Sequence, residues 1–341
     1  MGRKEIADVP VDAVIYWVDG NDPQWQKEYM KYRYGEDYEG NQIKRYREWD
    51  NLQYIFRGIE TFMPWVNRIF FVTWGHVPSW LNLEHPKLQV VKHSEYIPEA
   101  YLPTFSSRTI ELNFHRIEGL SEHFLVVDDD CFVTRPMKKS DFFVGDKPRD
   151  MFMEYPVMCG GNVPVFSQSV CNNNNFIGKY YKRSEYKKRL RSKILSPKYG
   201  AYFFYNLIQY VMPYPHFFGV LTPHITLPYL KSAFEEMWET EEKELDFVCK
   251  QRFRDRNGMN IYIARMWNLM KGNFVPGNLL KAGKMIVIRE DDDVIYEAIE
   301  KQKYKLLCLN DECRDEAFET VKEKIKLSFE KILPEKSSFE K

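Results

Sequence analysis

Along the chain, short runs of β-branched and aromatic residues alternate with stretches whose apolar positions recur every three or four residues. The runs are Ala13–Val18 ("AVIYWV"), Arg68–Thr73 ("RIFFVT"), Leu88–His93 ("LQVVKH") and Phe124–Asp128 ("FLVVD"). Apolar at successive positions, they carry the signature of strands covered on both faces, which belong to parallel sheets. Between the first two lies "NLQYIFRGIETF" and before the fourth lies "SRTIELNFHRI", both with helical spacing. Strand, helix and strand in succession predict a mostly parallel α/β sheet of nucleotide-binding type. Ligands of such sheets bind beyond the carboxyl ends of the strands. Three of the runs end there in polar or small residues: Asp19 to Asp22, Trp74 to His76, and Asp128 to Asp130.

From about residue 141 to residue 215 the periodicity weakens. This stretch holds "CNNNNF" and a basic run, Lys179 to Lys193, with eight Lys or Arg against one acid and with tyrosines interleaved. A solvated helix face is the plain explanation; contact with an anionic polymer or anionic lipid is the functional one. "YFFYNLIQYVMPYPHFFGVL", Tyr202 to Leu221, is the nearest approach to a membrane span, but Asn206, Gln209, Pro213, Pro215 and His216 interrupt it. It reads as a helix followed by a loop, with rings able to touch a membrane interface. Near the end, Phe318, Val321, Ile325, Phe329 and Ile332 recur at spacings of three and four, an amphipathic helix built for packing.

Composition narrows the class. The 341 residues are 44% hydrophobic and 29% charged, ordinary for a folded protein, but 16% aromatic, which favours ring-lined clefts. Lys and Arg total 49, as do Asp and Glu, which argues against a dedicated nucleic-acid binder and leaves local basic patches open. "MGRKEIADVP" has no apolar core of a secretory leader, so a cytoplasmic protein is expected. The six cysteines, Cys131, Cys159, Cys171, Cys249, Cys308 and Cys313, show no C-x-x-C pair, and free, mostly buried thiols are expected.

Three constellations could carry chemistry. Asp128, Asp129 and Asp130 close a strand; since side chains alternate, at most two can share a site, and a divalent cation on a diphosphate would offset their repulsion. "WVDGNDP", Trp17 to Pro23, forms an Asx-type turn able to offer backbone N–H groups and a tryptophan face to a nucleotide. "PHITLPYLK" places His224 just ahead of an expected helix start, and "KQRFRDR" adds Arg252, Arg254 and Arg256. A histidine beside guanidinium groups suits reaction at phosphate.

These residues resemble the Stealth proteins, a family that includes bacterial capsular polysaccharide phosphotransferases and the catalytic subunit of the animal lysosomal-enzyme N-acetylglucosamine phosphotransferase. "VDAVIYWVDGNDPQW" is similar to their first conserved region. "RYREWDNLQYIFRGIETFMPWVNRIFFVTWGHVPSWLNLEHPKLQVVKHSEYIP", running into "LPTFSSRTIELNFHRIEGLSEHFLVVDDDCFVTRPM", is similar to the second. "HITLPYLKSAFEEMW" with "RFR" resembles the third, and "YKLLCLNDECRDEAF" onward the fourth. The resemblance implies a glycosyltransferase-A-like fold: residues 1–140 as the first part of the nucleotide-sugar core, 141–215 as a variable, largely helical insertion, and 216–341 as the rest. It also implies attack by an acceptor hydroxyl on the β-phosphorus of a UDP-sugar. Hexose-1-phosphate would pass to a capsular polysaccharide, UMP would leave, and a phosphodiester would form.

Carried over by position, the resemblance makes Asp130, His224 and Arg254 the catalytic residues. His224 is the first choice of base, with Asp130 orienting it, taking the proton itself or helping to hold metal. Trp17, Asp19, Gly20, Asn21, Arg45, Arg57, Ser106 and Ser107 are donor-side residues, and Mg²⁺ or Mn²⁺ would neutralise the diphosphate, with Asp129 and Asp130 as its protein ligands if it has any. Two departures stand out. The family's usual "NDD" reads Asp128, Asp129, Asp130, and Gln53 stands where arginine is common, which would move a phosphate contact to Arg57. Partners would be the donor, the capsular acceptor, and the inner membrane face or other capsule-assembly proteins. An ordinary glycosyltransferase that releases UDP, or a non-catalytic polysaccharide-binding module, remains the alternative.

Overall fold

The computed structural model describes residues 9–33, 46–157 and 165–341. The apolar runs become four strands of one sheet, with β3 at one edge: β1 (Val11–Trp17), β2 (Ile69–Thr73), β3 (Leu88–Lys92) and β4 (His123–Asp128). Spatially they lie in the order β3, β2, β1, β4, all parallel, and an edge strand completes the sheet. That the inner strands are apolar at every position follows from their cover on both faces: Ala13, Val14, Ile15, Phe70, Phe71, Val72, Leu125 and Val127 are sealed from solvent.

Two connections show how local sequence sets this frame. Asp22 caps the helix Pro23–Tyr32, its carboxylate accepting from the N–H groups of Gln24 and Trp25 at 2.7 and 3.0 Å, and Pro23 supplies the preset φ of a first helical residue. The helix Leu52–Phe62 buries Leu52, Ile55, Phe56 and Ile59 along one stripe, and Gly58 lets it approach the sheet beside it, since a Cβ there would lie 2.5 Å from the Val133 carbonyl oxygen.

A small sheet stands on the acidic rim. β5 (Cys131–Val133) leaves β4 after the turn at Asp129 and Asp130 and pairs antiparallel with Leu306–Asp311, itself parallel to Gly283–Ile288. The register sets Cys131 opposite Cys308. The C-terminal helix Asp315–Ile332 buries Val321, Ile325 and Phe329, as its spacing predicts.

The structure changes two expectations. "HITLPYLK" does not open a helix directly after His224: Leu227–Leu230 is the edge strand, antiparallel to β4, and the helix starts at Lys231. Leu227 to Leu230 are all buried, and a sheet edge tolerates Pro228, which has no N–H to donate. Among the cysteines, Cys131, Cys249, Cys308 and Cys313 are free and buried as expected, whereas Cys171 is disulfide-bonded.

Candidate active site

β4 delivers its aspartates to the carboxyl rim of the sheet, and the loop before the edge strand brings His224 to them. His224 Nε2 lies 3.2 Å from Asp128 Oδ2 and 3.3 Å from Asp130 Oδ1, and Tyr262 Oη lies 3.5 Å from Nδ1. One imidazole thus bridges two carboxylates two residues apart. Asp129 between them is the exposed member. Alternation along the chain therefore sorts the three acids as expected, two inward and one outward.

Asp130 is fixed from several sides. The Cys131 thiol donates to Oδ1 and the Cys308 thiol to Oδ2, each at 3.4 Å. Burial works against its charge, but the neighbouring His224 and the hydrogen bonds from His224, Cys308 and Cys131 outweigh that and hold the carboxyl below its ordinary value. Asp128 goes the other way: burial raises it, and the Asp130 charge adds to the rise against the pull of His224. For His224, burial opposes the charged form, yet Tyr262, Asp130 and Cys308 around it lift the imidazole well above its usual value. The side chain keeps 27% of its surface exposed, enough for a substrate to reach it. Withdrawal from bulk water and the nearby Asp130, Asp128 and Glu48 charges raise Asp129 to about 8, a penalty that its exposed surface partly relieves by solvent screening.

A second bank faces this cluster. Tyr16, which pairs with Asp128 across β1 and β4, donates to Glu111 at 3.0 Å, and the Ile261 N–H donates to the same carboxylate at 3.3 Å. Burial, then Asp128, lifts Glu111 to about 7, with the Arg254 charge opposing. Arg254 also donates to the Ser107 hydroxyl at 3.1 Å. Sequence reasoning missed Asp128 as a partner of His224, and it missed Tyr16, Glu111 and Tyr262 altogether. For Glu111 a signal existed, an acid amid the apolar positions of "SRTIELNF"; Tyr16 sits in a strand run and gives none.

The donor-side candidates separate. Trp17 is buried, stacked on Phe71 and bonded through Nε1 to Glu48 at 2.9 Å. Asp19 accepts from the Asn21 N–H at 2.8 Å, closing the Asx turn, while the Asp19 N–H donates to His76 Nε2 at 2.8 Å. The turn thus spends the Asp19 and Asn21 N–H groups internally, contrary to the expectation that its backbone would face a nucleotide. Gly20 is required by contact, because a Cβ would lie 1.8 Å from the Tyr46 carbonyl oxygen. Ser106 is buried at the start of the helix Ser107–Leu112. Arg57 is committed elsewhere: it pairs with Glu340 at 2.7 Å and donates to the Leu333 carbonyl at 2.8 Å, so the C-terminal tail, not a phosphate, takes its guanidinium. Arg45 lies outside the described residues. A recess of about 330 Å³ on the same rim is lined by Trp17, Asp19, Glu48, Gln53, Trp80 and Lys326, and Gln53 is thus a lining residue.

Asp130, Cys131, His224 and Cys308 place four potential ligand atoms within 4.8 Å of one another. Two thiols, an imidazole and one carboxylate suit a thiolate-accepting ion with tetrahedral preference. They do not suit Mg²⁺ or Mn²⁺, which favour oxygen, and Asp129 is not in the set.

Comparison with known proteins follows the same residues. Positions 45–151 match Stealth protein CR2, conserved region 2. Over 333 residues the chain is 38% identical to a capsular polysaccharide phosphotransferase, WcwK, of Streptococcus pneumoniae, covering 97% of this chain and 98% of that protein. The chain belongs to the Stealth family. A receptor polysaccharide phosphotransferase, WefC, of Streptococcus oralis is 33% identical over 97% of this chain and 99% of its own length. An exopolysaccharide phosphotransferase, cps2G, of Lactiplantibacillus plantarum is 32% identical over 97% and 96%. This Stealth protein is a phosphotransferase, and the region that matches CR2 contains Ser107, Glu111 and the three aspartates of β4 and its turn.

Proposed function

We propose that this Stealth protein moves hexose-1-phosphate from a UDP-sugar to a hydroxyl of a growing capsular polysaccharide. One observation carries the reading: the His224 imidazole held between Asp128 and Asp130 at the carboxyl end of a parallel strand, with Arg254 on the facing bank. The acceptor hydroxyl loses its proton to His224 as its oxygen bonds to the β-phosphorus. The bond from that phosphorus to the bridging oxygen breaks, and UMP leaves with the bonding pair. Asp128 and Asp130 stabilise the imidazolium that forms, and Arg254 offsets charge on the phosphoryl oxygens.

His224 must be neutral to accept the proton, and its raised proton affinity makes it a stronger base once it is. The recess beside Trp17, Asp19 and Gln53 has room for the nucleoside, and Lys326 offers a cation at the wall where Gln53 carries none. Mg²⁺ or Mn²⁺ enters this reading as the counter-ion of the donor diphosphate. The fold is read as glycosyltransferase-A-like and the location as cytoplasmic.

Incubation with a panel of nucleotide sugars and a capsular oligosaccharide tests the proposal, with the released nucleotide and ³¹P NMR as readouts. UMP with a phosphodiester resonance is the expected result. UDP with a plain glycosidic product would replace this reaction with ordinary sugar transfer.

A further inference from the structure

The helix Tyr202–Val211 is built inside out. Its polar Asn206 is 1% exposed and donates to the carbonyls of Phe152 and Ile194, both at 2.8 Å. Its apolar Phe204, Ile208 and Val211 are 67%, 60% and 69% exposed, and Leu207 joins them. Spacings of three and four put these four on one face. Met212 and Tyr214 continue the patch beyond the helix. A water-soluble surface concentrates bulky apolar groups in this way where something apolar is to cover them.

The same surface is basic at its border. Lys187 Nζ lies 4.7 Å from the Tyr210 ring centre, and Lys198 sits in the turn just ahead of the helix. Lys182, Lys188, Arg191 and Lys198 are exposed and form no ion pair among the described residues, and Glu185 is the acid among them. Other members of the basic run are structural: Arg189 donates to the Lys271 carbonyl that ends the helix Tyr262–Lys271, and Lys193 to the Phe274 carbonyl just beyond it. Arg183 pairs with Glu154 at 2.7 Å and donates to the carbonyls of Gln209, Met212 and Tyr214, which clamps the apolar helix in place. The patch is therefore a preformed surface.

We propose that this face docks on an anionic lipid bilayer, with Phe204, Leu207, Ile208 and Val211 entering the headgroup region and the flanking lysines and arginine meeting lipid phosphate. Among the described residues no helix is long and apolar enough to cross a membrane, so this one lies in the interface plane. An apolar stripe bordered by unpaired cations matches the two components of such a surface, whereas a soluble polysaccharide offers no apolar slab. The inference stands independently of which sugar phosphate is transferred.

Flotation of the full chain with vesicles tests it, using phosphatidylcholine alone or mixed with phosphatidylglycerol. Recovery with the mixed vesicles, weakened by salt, is expected. Phe204→Ser with Ile208→Ser, and separately Lys187→Gln with Lys188→Gln and Lys198→Gln, should each cut recovery about tenfold while circular dichroism and melting temperature stay unchanged. Undiminished recovery of either variant overturns the proposal, as does wild-type protein that ignores phosphatidylglycerol. A serine variant that converts a dimer to a monomer in sedimentation, with no vesicle binding by the parent, would assign the face to a second copy instead. A raised KM for soluble oligosaccharide with unchanged flotation would assign it to the acceptor.

Discussion

The rim at the end of β4 and the face of the helix Tyr202–Val211 break the ordinary division of polar and apolar residues in opposite directions. At the rim, three acids and a histidine are drawn together and partly buried; on the helix, aromatic and branched side chains stand in water while an asparagine is sealed inside. In each place neighbours compensate. His224 and two thiols satisfy Asp130, and two carbonyls satisfy Asn206. What differs is what remains unsatisfied: at the rim, electrostatic demand that a phosphate and a proton can meet; on the helix, apolar area that only another apolar surface can cover. Departures from local patterning fall at working surfaces, and the kind of departure indicates the kind of partner.

Replacing the bridging group should have the largest effect. His224→Ala is expected to lower kcat/KM for transfer by about 10⁴-fold, ~5 kcal/mol of transition-state stabilisation. The melting temperature should fall at low pH, where the protonated imidazole contributes to the fold, and change little above its raised value, because the side chain is partly exposed and leaves Asp128 and Asp130 in reach of water. Near-normal turnover would show that the imidazole is not the base and would leave Asp130 as the acceptor of the proton.

The clamp beneath the apolar helix should show its effect in stability. Arg183 and Glu154 side chains are 2% and 4% exposed. Truncating one partner leaves the other charged and buried, so Arg183→Met should destabilise by about 3 kcal/mol in urea unfolding. If the clamp and the active site are separate, kcat at temperatures below the transition should hold within about twofold, a difference of ~0.4 kcal/mol.

A smaller and more diagnostic effect concerns pH. Because His224 is raised in the folded protein, its protonated form stabilises the fold below the ordinary imidazole value near 6.5, and that contribution fades as pH rises through the folded value. Transfer needs the neutral form, so the rate should fall as pH drops through that raised value, an acid limb lying above 6.5. Asp128→Asn removes one of the two carboxylates and should move the limb down by about one pH unit, ~1.4 kcal/mol, with kcat at the plateau reduced about tenfold. A limb that stays where it was would assign the raised affinity to Tyr262, Asp130 and Cys308 without Asp128.

Much of the rim was legible in the sequence because its causes are local. Strands covered on both faces must be apolar throughout, which marked β1, β2 and β4, while β3, less fully apolar, is an edge strand; three acids at a strand end alternate, which limited a shared site to two of them. His224 and the cluster Arg252, Arg254 and Arg256 stood out as residue types suited to phosphate, and the resemblance chose Arg254 among the three. What was not legible depends on contacts between distant segments. Cys308 reaches Asp130 only because the small sheet sets it opposite Cys131, and Arg57 is taken by a tail residue, Glu340. For Tyr202–Val211 the apolar run was visible, but which face would be exposed depended on Phe152 and Ile194, whose carbonyls hold Asn206.

The smallest expected effect falls on the outward acid, and it is the sharpest test of the alternation. Asp129 makes no ion pair with His224, is exposed, and is raised to about 8 by its removal from bulk water and by Asp130, Asp128 and Glu48. If its charge serves neither proton transfer nor the fold, Asp129→Asn removes repulsion without removing a partner. The variant should keep kcat within about threefold, ~0.6 kcal/mol, and should melt no lower than the parent, since a carboxyl raised to about 8 is already mostly neutral near pH 7 and the amide replaces it without adding charge. A loss comparable to that of Asp128→Asn would mean that Asp129 turns inward when donor binds, and the division between inward and outward acids would then describe only the resting site.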